Sequence, residues 1–173
     1  MNKVQLLPEN LSESSRNQDL IGIIIMRTLF AMVWFSQGMA KVIRRDDDMY
    51  KDHDEFLSEL NYMRVTHPYS FVEKFIENIL IQNVDIIVFL VILTELFIGI
   101  SLGLGLFTRA GSVIGGLMTI SLFILTLGWD QWIWTYPIIF FPHVLFFLSR
   151  SGRQIGLDRS FVDSENKIVN LLS

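Results

Sequence analysis

The chain has 173 residues, of which 51% are hydrophobic and 18% charged, with a net charge of −4. It contains no cysteine, which excludes disulfide scaffolds, thiolate nucleophiles, and zinc or iron–sulfur centres held by cysteine. The acidic balance argues against a nucleic-acid partner, which would select a basic surface.

Residues 1–19 are polar and rich in Glu, Asn and Ser. They lack the basic start of a secretory signal, and the apolar run that follows is too long for one. Four apolar runs then occupy 20–43, 86–107, 110–129 and 131–149. A helix of about 20 mainly apolar residues crosses the hydrocarbon core. A soluble chain this small has no room to bury four of them. The predicted fold class is therefore all-α: an integral membrane four-helix bundle within a transmembrane domain spanning 20–149. The second and third runs are joined by Thr108-Arg109 alone, and the third and fourth meet around 128–132, so these helices are antiparallel neighbours.

The loop 44–85 is different. It opens on Asp46-Asp47-Asp48, and Phe56, Leu57, Leu60 and Met63 then recur at helical spacing. After Pro68, Ser70-Phe71-Val72-Glu73 has a capping-box pattern. Phe71, Val72, Phe75, Ile76, Ile79 and Leu80 extend an apolar stripe opposite Glu73, Lys74, Glu77 and Asn78. An amphipathic helical segment thus lies between helices one and two, packed on the bundle or at the lipid interface. A polar tail, 150–173, closes the chain.

Four crossings put both termini on one side of a multi-pass cell-membrane protein. Lys and Arg divide almost evenly, seven on that side and six on the loop side. Arg109, Arg150 and Arg153 sit tightly at helix ends, which places the termini in the cytoplasm and the loop 44–85 outside. Gly99/Gly103, Ser101/Gly105 and Gly111/Gly115 are small residues four apart, a pattern for close packing of the hairpin.

Charges inside the membrane are costly and need a reason. At 1.5 Å per residue from the cytoplasmic edge, Arg27 lies at about 10 Å, Glu95 at about 18 Å and His143 at about 9 Å. Two readings follow. Arg27 and Glu95 form a buried pair that sets helix register, or Arg27, Glu95 and His143 together form a catalytic site for a quinone head group or proton transfer. A second polar level nearer the loop holds Gln37, Lys41, Arg44 and Trp132. Lys41 either snorkels or, with Arg44, Gln37 and Trp132, receives a small anionic substrate. Pro137 and Pro142 interrupt the fourth run and free backbone carbonyls.

The pattern Arg27, then Trp34-Phe35-Ser36-Gln37-Gly38-Met39-Ala40-Lys41, resembles the opening of the DoxX/DoxD family. Glu95-Leu96-Phe97-Ile98-Gly99, followed by Leu102 to Gly111, resembles that family's second and third helices. Ser151-Gly152-Arg153-Gln154-Ile155-Gly156-Leu157-Asp158 resembles its tail. The resemblance spans about residues 20–160 and implies a four-helix membrane protein. Trp132, Trp134 and Tyr136 look closer to the DoxD branch. DoxD is the membrane subunit of a thiosulfate:quinone oxidoreductase that makes tetrathionate, with a smaller DoxA subunit as partner. Quinone is the one cofactor this implies; no metal or haem ligand set is evident. The alternative is a non-catalytic accessory or assembly subunit of a larger respiratory chain complex. The segment 44–85 is longer than the short DoxX pattern.

Overall fold

The computed structural model describes residues 9–43, 51–129, 134–161 and 167–172. Every described element is a helix. Helix α1 runs Glu9–Ile43 and α2 runs Lys51–Thr66. Next, α3 (Ser70–Phe75) continues through a π turn (Ile76–Leu80) and a 3-10 turn (Ile81–Asn83) into α4, Val84–Leu104. Helix α5 is Thr108–Leu125 and α6 is Thr135–Ser149. The tail holds α7 (Ser151–Gln154), a 3-10 turn (Leu157–Phe161) and α8 (Lys167–Leu172).

Leu20–Ile43, Ser70–Leu104 and Thr108–Leu125 are long and apolar enough to cross a membrane. The fourth apolar helix, α6, has 15 residues, about 22 Å at the helical rise and shorter than the run 131–149 suggested. Helix α1 also extends eleven residues into the polar N-terminal segment. Pro137 falls in the first turn of α6, where no intrahelical donor is needed, so Pro142 alone lies inside it.

Helix α1 buries Arg27, Ala31, Trp34 and Gly38 on one face, the i, i+4, i+7, i+11 spacing of a single helical stripe. Ile21, Ile25, Leu29, Met32 and Val33 face outward, as a lipid-facing surface requires. The buried stripe meets α4 in antiparallel register. A methyl on Gly99 would lie 2.7–2.8 Å from the backbone of Phe35, and one on Gly38 would lie 2.9 Å from Leu96. The small residues therefore serve three helix pairs rather than the hairpin alone. Gly99 admits α1, Gly111 sits on Ser101 within the α4–α5 hairpin, and Gly115 lies under the His143 ring of α6.

The amphipathic segment is present, and its stripe divides. Val72, Ile76 and Leu80 bury themselves with Leu60 and Met63 of α2 and with Val84, while Phe71 is 71% exposed and Phe75 and Ile79 also face outward. This apolar core packs on Leu125 and Trp129, so α2 and α3 roof the loop end of the helices. The His67 ring fastens that roof. Its Nδ1 accepts from the Tyr69 N–H at 3.1 Å, leaving Nε2–H to donate to the Ile124 carbonyl near the end of α5 at 2.9 Å. Gly128 lies so close to the Thr66 carbonyl that a side chain there would collide with it.

At the opposite end the tail folds back. Gly105 ends α4 with φ +63°, and the chain turns into α5 with no local capping side chain. Asp158 supplies the cap. Its carboxylate accepts from the Phe107 N–H (2.6 Å), the Thr108 N–H (2.9 Å) and the Thr108 hydroxyl (2.7 Å). Its own N–H donates to the Gly105 carbonyl at 2.8 Å. A buried carboxylate at a helix N-terminus satisfies orphan amides and complements the helix dipole. Gly152 packs against Thr108 and the Asp158 carboxylate without room for a methyl. Arg27 reaches the same fold from α1, donating from Nη2 to the Ile155 carbonyl at 2.7 Å. Asp158→Ala strands these amides and should lower stability by about 3 kcal/mol. Asp158→Asn should cost roughly half of that by keeping one acceptor. Unfolding in detergent micelles measures both.

Candidate functional site

The register of α1 on α4 determines which polar groups meet. Arg27 lies level with Gly105, where a methyl would come 3.1 Å from Nη1. Glu95 is ten residues back along α4, about 15 Å at the helical rise. The expected Arg27–Glu95 pair therefore does not form. Lys41 takes Glu95 instead, its Nζ 2.8 Å from both Oε1 and Oε2. The two side chains are 29% and 7% exposed. Lys41 thus turns inward along the bundle rather than snorkelling to the interface.

His143 occupies a third environment. Its Nε2 accepts from the Trp34 indole N–H at 3.0 Å, and Phe30 and Phe146 meet its ring edge-on at 5.8 and 6.2 Å. Its Nδ1 is buried without a partner. Arg27, Glu95 and His143, expected in one catalytic site, are held by three separate sets of partners.

Lys41 and Glu95 open on a cavity of about 580 Å³ between the roof and the helices. Gln37 and Ala40 of α1 line it, with Ile87, Val88 and Val91 of α4 and Met118, Ser121 and Leu122 of α5. Helix α2 closes it with Glu55, Phe56, Glu59, Leu60 and Met63. The volume falls within the usual range for small-molecule sites, as does the chemistry of mostly apolar walls with a few polar groups. The structure thus joins Glu95 to Gln37 and Lys41, which depth along the sequence assigns to two levels. Arg27 and His143 lie outside this lining. Arg44 and Trp132, expected to help bind an anion, lie outside the described residues, as do Asp130 and Gln131.

Glu55 and Glu59 are the contribution that sequence reasoning misses. Along the chain they belong to an acidic stretch, yet their i, i+4 spacing with Leu60 and Met63 places them on the cavity side of α2. The lining then sets three carboxylates against one ammonium, which disfavours an anion held at Lys41. The Glu59 carboxyl lies above the usual carboxylate range, first because the roof takes it partly out of water and then because Glu55 adds like charge. The native state therefore binds this proton more tightly than the unfolded chain does, so stability falls as pH rises through the carboxylate range. Glu59→Gln should flatten that slope in unfolding measured between about pH 4 and 8.

A buried ion pair is seldom more stable than a well-packed apolar pair, yet removing one partner is costly. Lys41→Met should destabilise the protein by roughly 3–5 kcal/mol, and adding Glu95→Leu should restore most of the loss. A double-mutant cycle of thermal unfolding checks this. Equal loss in the single and double variants would mean that the pair holds the two helices together rather than merely occupying the site.

No curated protein and no solved structure matches the chain. A family model, DoxX, matches residues 22–129. That stretch runs from α1 through the roof to the end of the α5 turn. It includes Gln37, Lys41, Glu55, Glu59 and Glu95 of the cavity and the Gly38 and Gly99 contacts that set the register. The chain is a membrane-embedded member of the DoxX family.

Proposed function

We propose that this protein is the quinone-binding membrane subunit of an oxidoreductase and that the cavity at Lys41 and Glu95 receives the quinone head group. One observation carries the reading: an inward-facing ammonium, oriented by both oxygens of one carboxylate, in a cavity whose other walls are chiefly apolar. A quinone head group fits that donor set, since its carbonyl oxygens accept hydrogen bonds and its ring prefers apolar walls. When bound, quinone supplies acceptance of two electrons and two protons.

The residues of this chain have definable tasks in that reading. Lys41 Nζ donates a hydrogen bond to a head-group oxygen, and Glu95 keeps Nζ aimed. Gln37 adds a second polar group on the same side. Glu59, on the partly exposed roof, passes protons between the cavity and outside water. Arg27 and His143 act through packing: Arg27 ties α1 to the tail, and His143 fills the space beside Gly115. With four crossings, the termini face the cytoplasm and the cavity opens toward the outer side.

Electrons then come from a second protein, a DoxA-like subunit or a larger respiratory complex. Thiosulfate, the donor of the DoxD-containing enzyme, would be oxidised with that partner. Three carboxylates around Lys41 make the cavity a poor host for a dianion.

The test uses the purified protein in lipid nanodiscs with short-chain benzoquinone and naphthoquinone analogues, read by quenching of tryptophan fluorescence. The Lys41→Met/Glu95→Leu variant should keep its stability and bind about tenfold more weakly, a difference of ~1.4 kcal/mol. Unchanged affinity in that variant would remove the cavity as the quinone site. Absence of any quinone binding, with retained co-purification of a respiratory complex, would establish the accessory role instead.

A further inference from the structure

The end of the bundle opposite the cavity carries a second cluster that the quinone reading does not use. Arg109 stands in the first turn of α5, and Arg150 directly follows α6. Antiparallel packing brings these two helix ends together. The Arg109 guanidinium carbon lies 4.2 Å from the centroid of the Phe147 ring, which fixes its plane by a cation–π contact. Its Nε is buried and has no hydrogen-bond partner.

Among the described residues, the charges acting on Arg109 are those of Arg150 and Arg153, both of like sign. Asp158, the carboxylate that the described residues fold into this end, is already engaged with the Phe107 and Thr108 amides and the Thr108 hydroxyl. Arg153 has a further interaction of its own and contributes here only its field. Like-charged guanidinium groups at one end of a helix pair repel one another, and an anion between them relieves the repulsion. Arg150 also holds a left-handed backbone, φ +46°, a conformation that disfavours a bulky side chain. A positive charge thus stands at a position where Asn or Gly would fit the backbone better.

We propose that Arg109 and Arg150 bind the phosphate of one anionic phospholipid at the end of the bundle that bears the chain termini. Guanidinium groups match phosphate oxygens through paired N–H donors. The site lies where apolar helices end, at headgroup level, and the adjoining Leu148 is 71% exposed, offering a surface for acyl chains. Basic pockets between helix ends on the cytoplasmic side are suited to such headgroups. This site is independent of the quinone reading, and neither depends on the other.

Native mass spectrometry of the full chain, released from nanodiscs of phosphatidylglycerol and phosphatidylcholine, tests it, with thermal unfolding as a second readout. The protein should retain one phosphatidylglycerol, unfold several degrees higher with it, and gain nothing from phosphatidylcholine. Arg109→Gln should weaken retention about tenfold. Arg150→Asn should do the same while leaving the lipid-free protein at least as stable, since Asn tolerates the left-handed backbone. Lys74→Gln, at the opposite end, should retain the lipid as the parent does. Full retention in both arginine variants would overturn the proposal. Equal stabilisation by inorganic phosphate would also overturn it, by assigning the cluster to a soluble anion.

Discussion

The approach of Gly99 to the backbone of Phe35 governs the arrangement of polar groups in this protein. In hydrocarbon there is no general hydrophobic force between helices, so close backbone packing determines how they slide. Once α1 and α4 are in this register, Arg27 must lie beside Gly105 and Lys41 must find Glu95. Each charge then meets a different need. One joins the tail, and the other is neutralised beside a cavity.

The two ends of the bundle are stabilised by opposite means. At the loop end, an apolar core of α2 and α3 is laid over the helices and fastened by the His67 hydrogen bond to the Ile124 carbonyl. At the terminal end, one buried carboxylate joins chain segments far apart in sequence. The α4–α5 turn, α7 and the last 3-10 turn form one structure around Asp158. The short motifs of the helix hairpin and of the tail, which look unrelated when read along the chain, are two halves of this one contact.

Much of the architecture was legible because the bilayer imposes a length rule. The apolar runs, the helical spacing of Leu60 and Met63, and the stripe through Val72, Ile76 and Leu80 all follow from periodicity. Pairing was less legible. Depth counted from the ends of apolar runs placed Arg27 and Glu95 within reach, but that count assumes that every helix begins at the same height. It also reads α4 as starting afresh, whereas its helix is continuous with α3 from Ser70. The cavity was hidden for a related reason. Its lining draws single residues from α1, α2, α4 and α5, and no local pattern marks Glu59 as a neighbour of Glu95. The small residues serve the expected hairpin at Gly111 and two further helix pairs at Gly99 and Gly115, because a glycine reports close approach without naming its partner.

The Asp158 cap has a consequence for how the protein is made. Thr108 emerges from the ribosome fifty residues before the carboxylate that satisfies its amide, an interval of roughly 3–10 s at ordinary elongation rates. During that interval the head of α5 has open donors, and the hairpin is held by its apolar faces and by the Ser101 hydroxyl, which donates to the Leu106 and Phe107 carbonyls. Completion of the hairpin therefore waits for α6 to be made and for the tail behind it to fold back onto the α4–α5 turn. The segment around Asp158 acts as a latch that closes late, so a chain cut short before Asp158 would retain all of its apolar helices yet leave the α4–α5 junction unfinished.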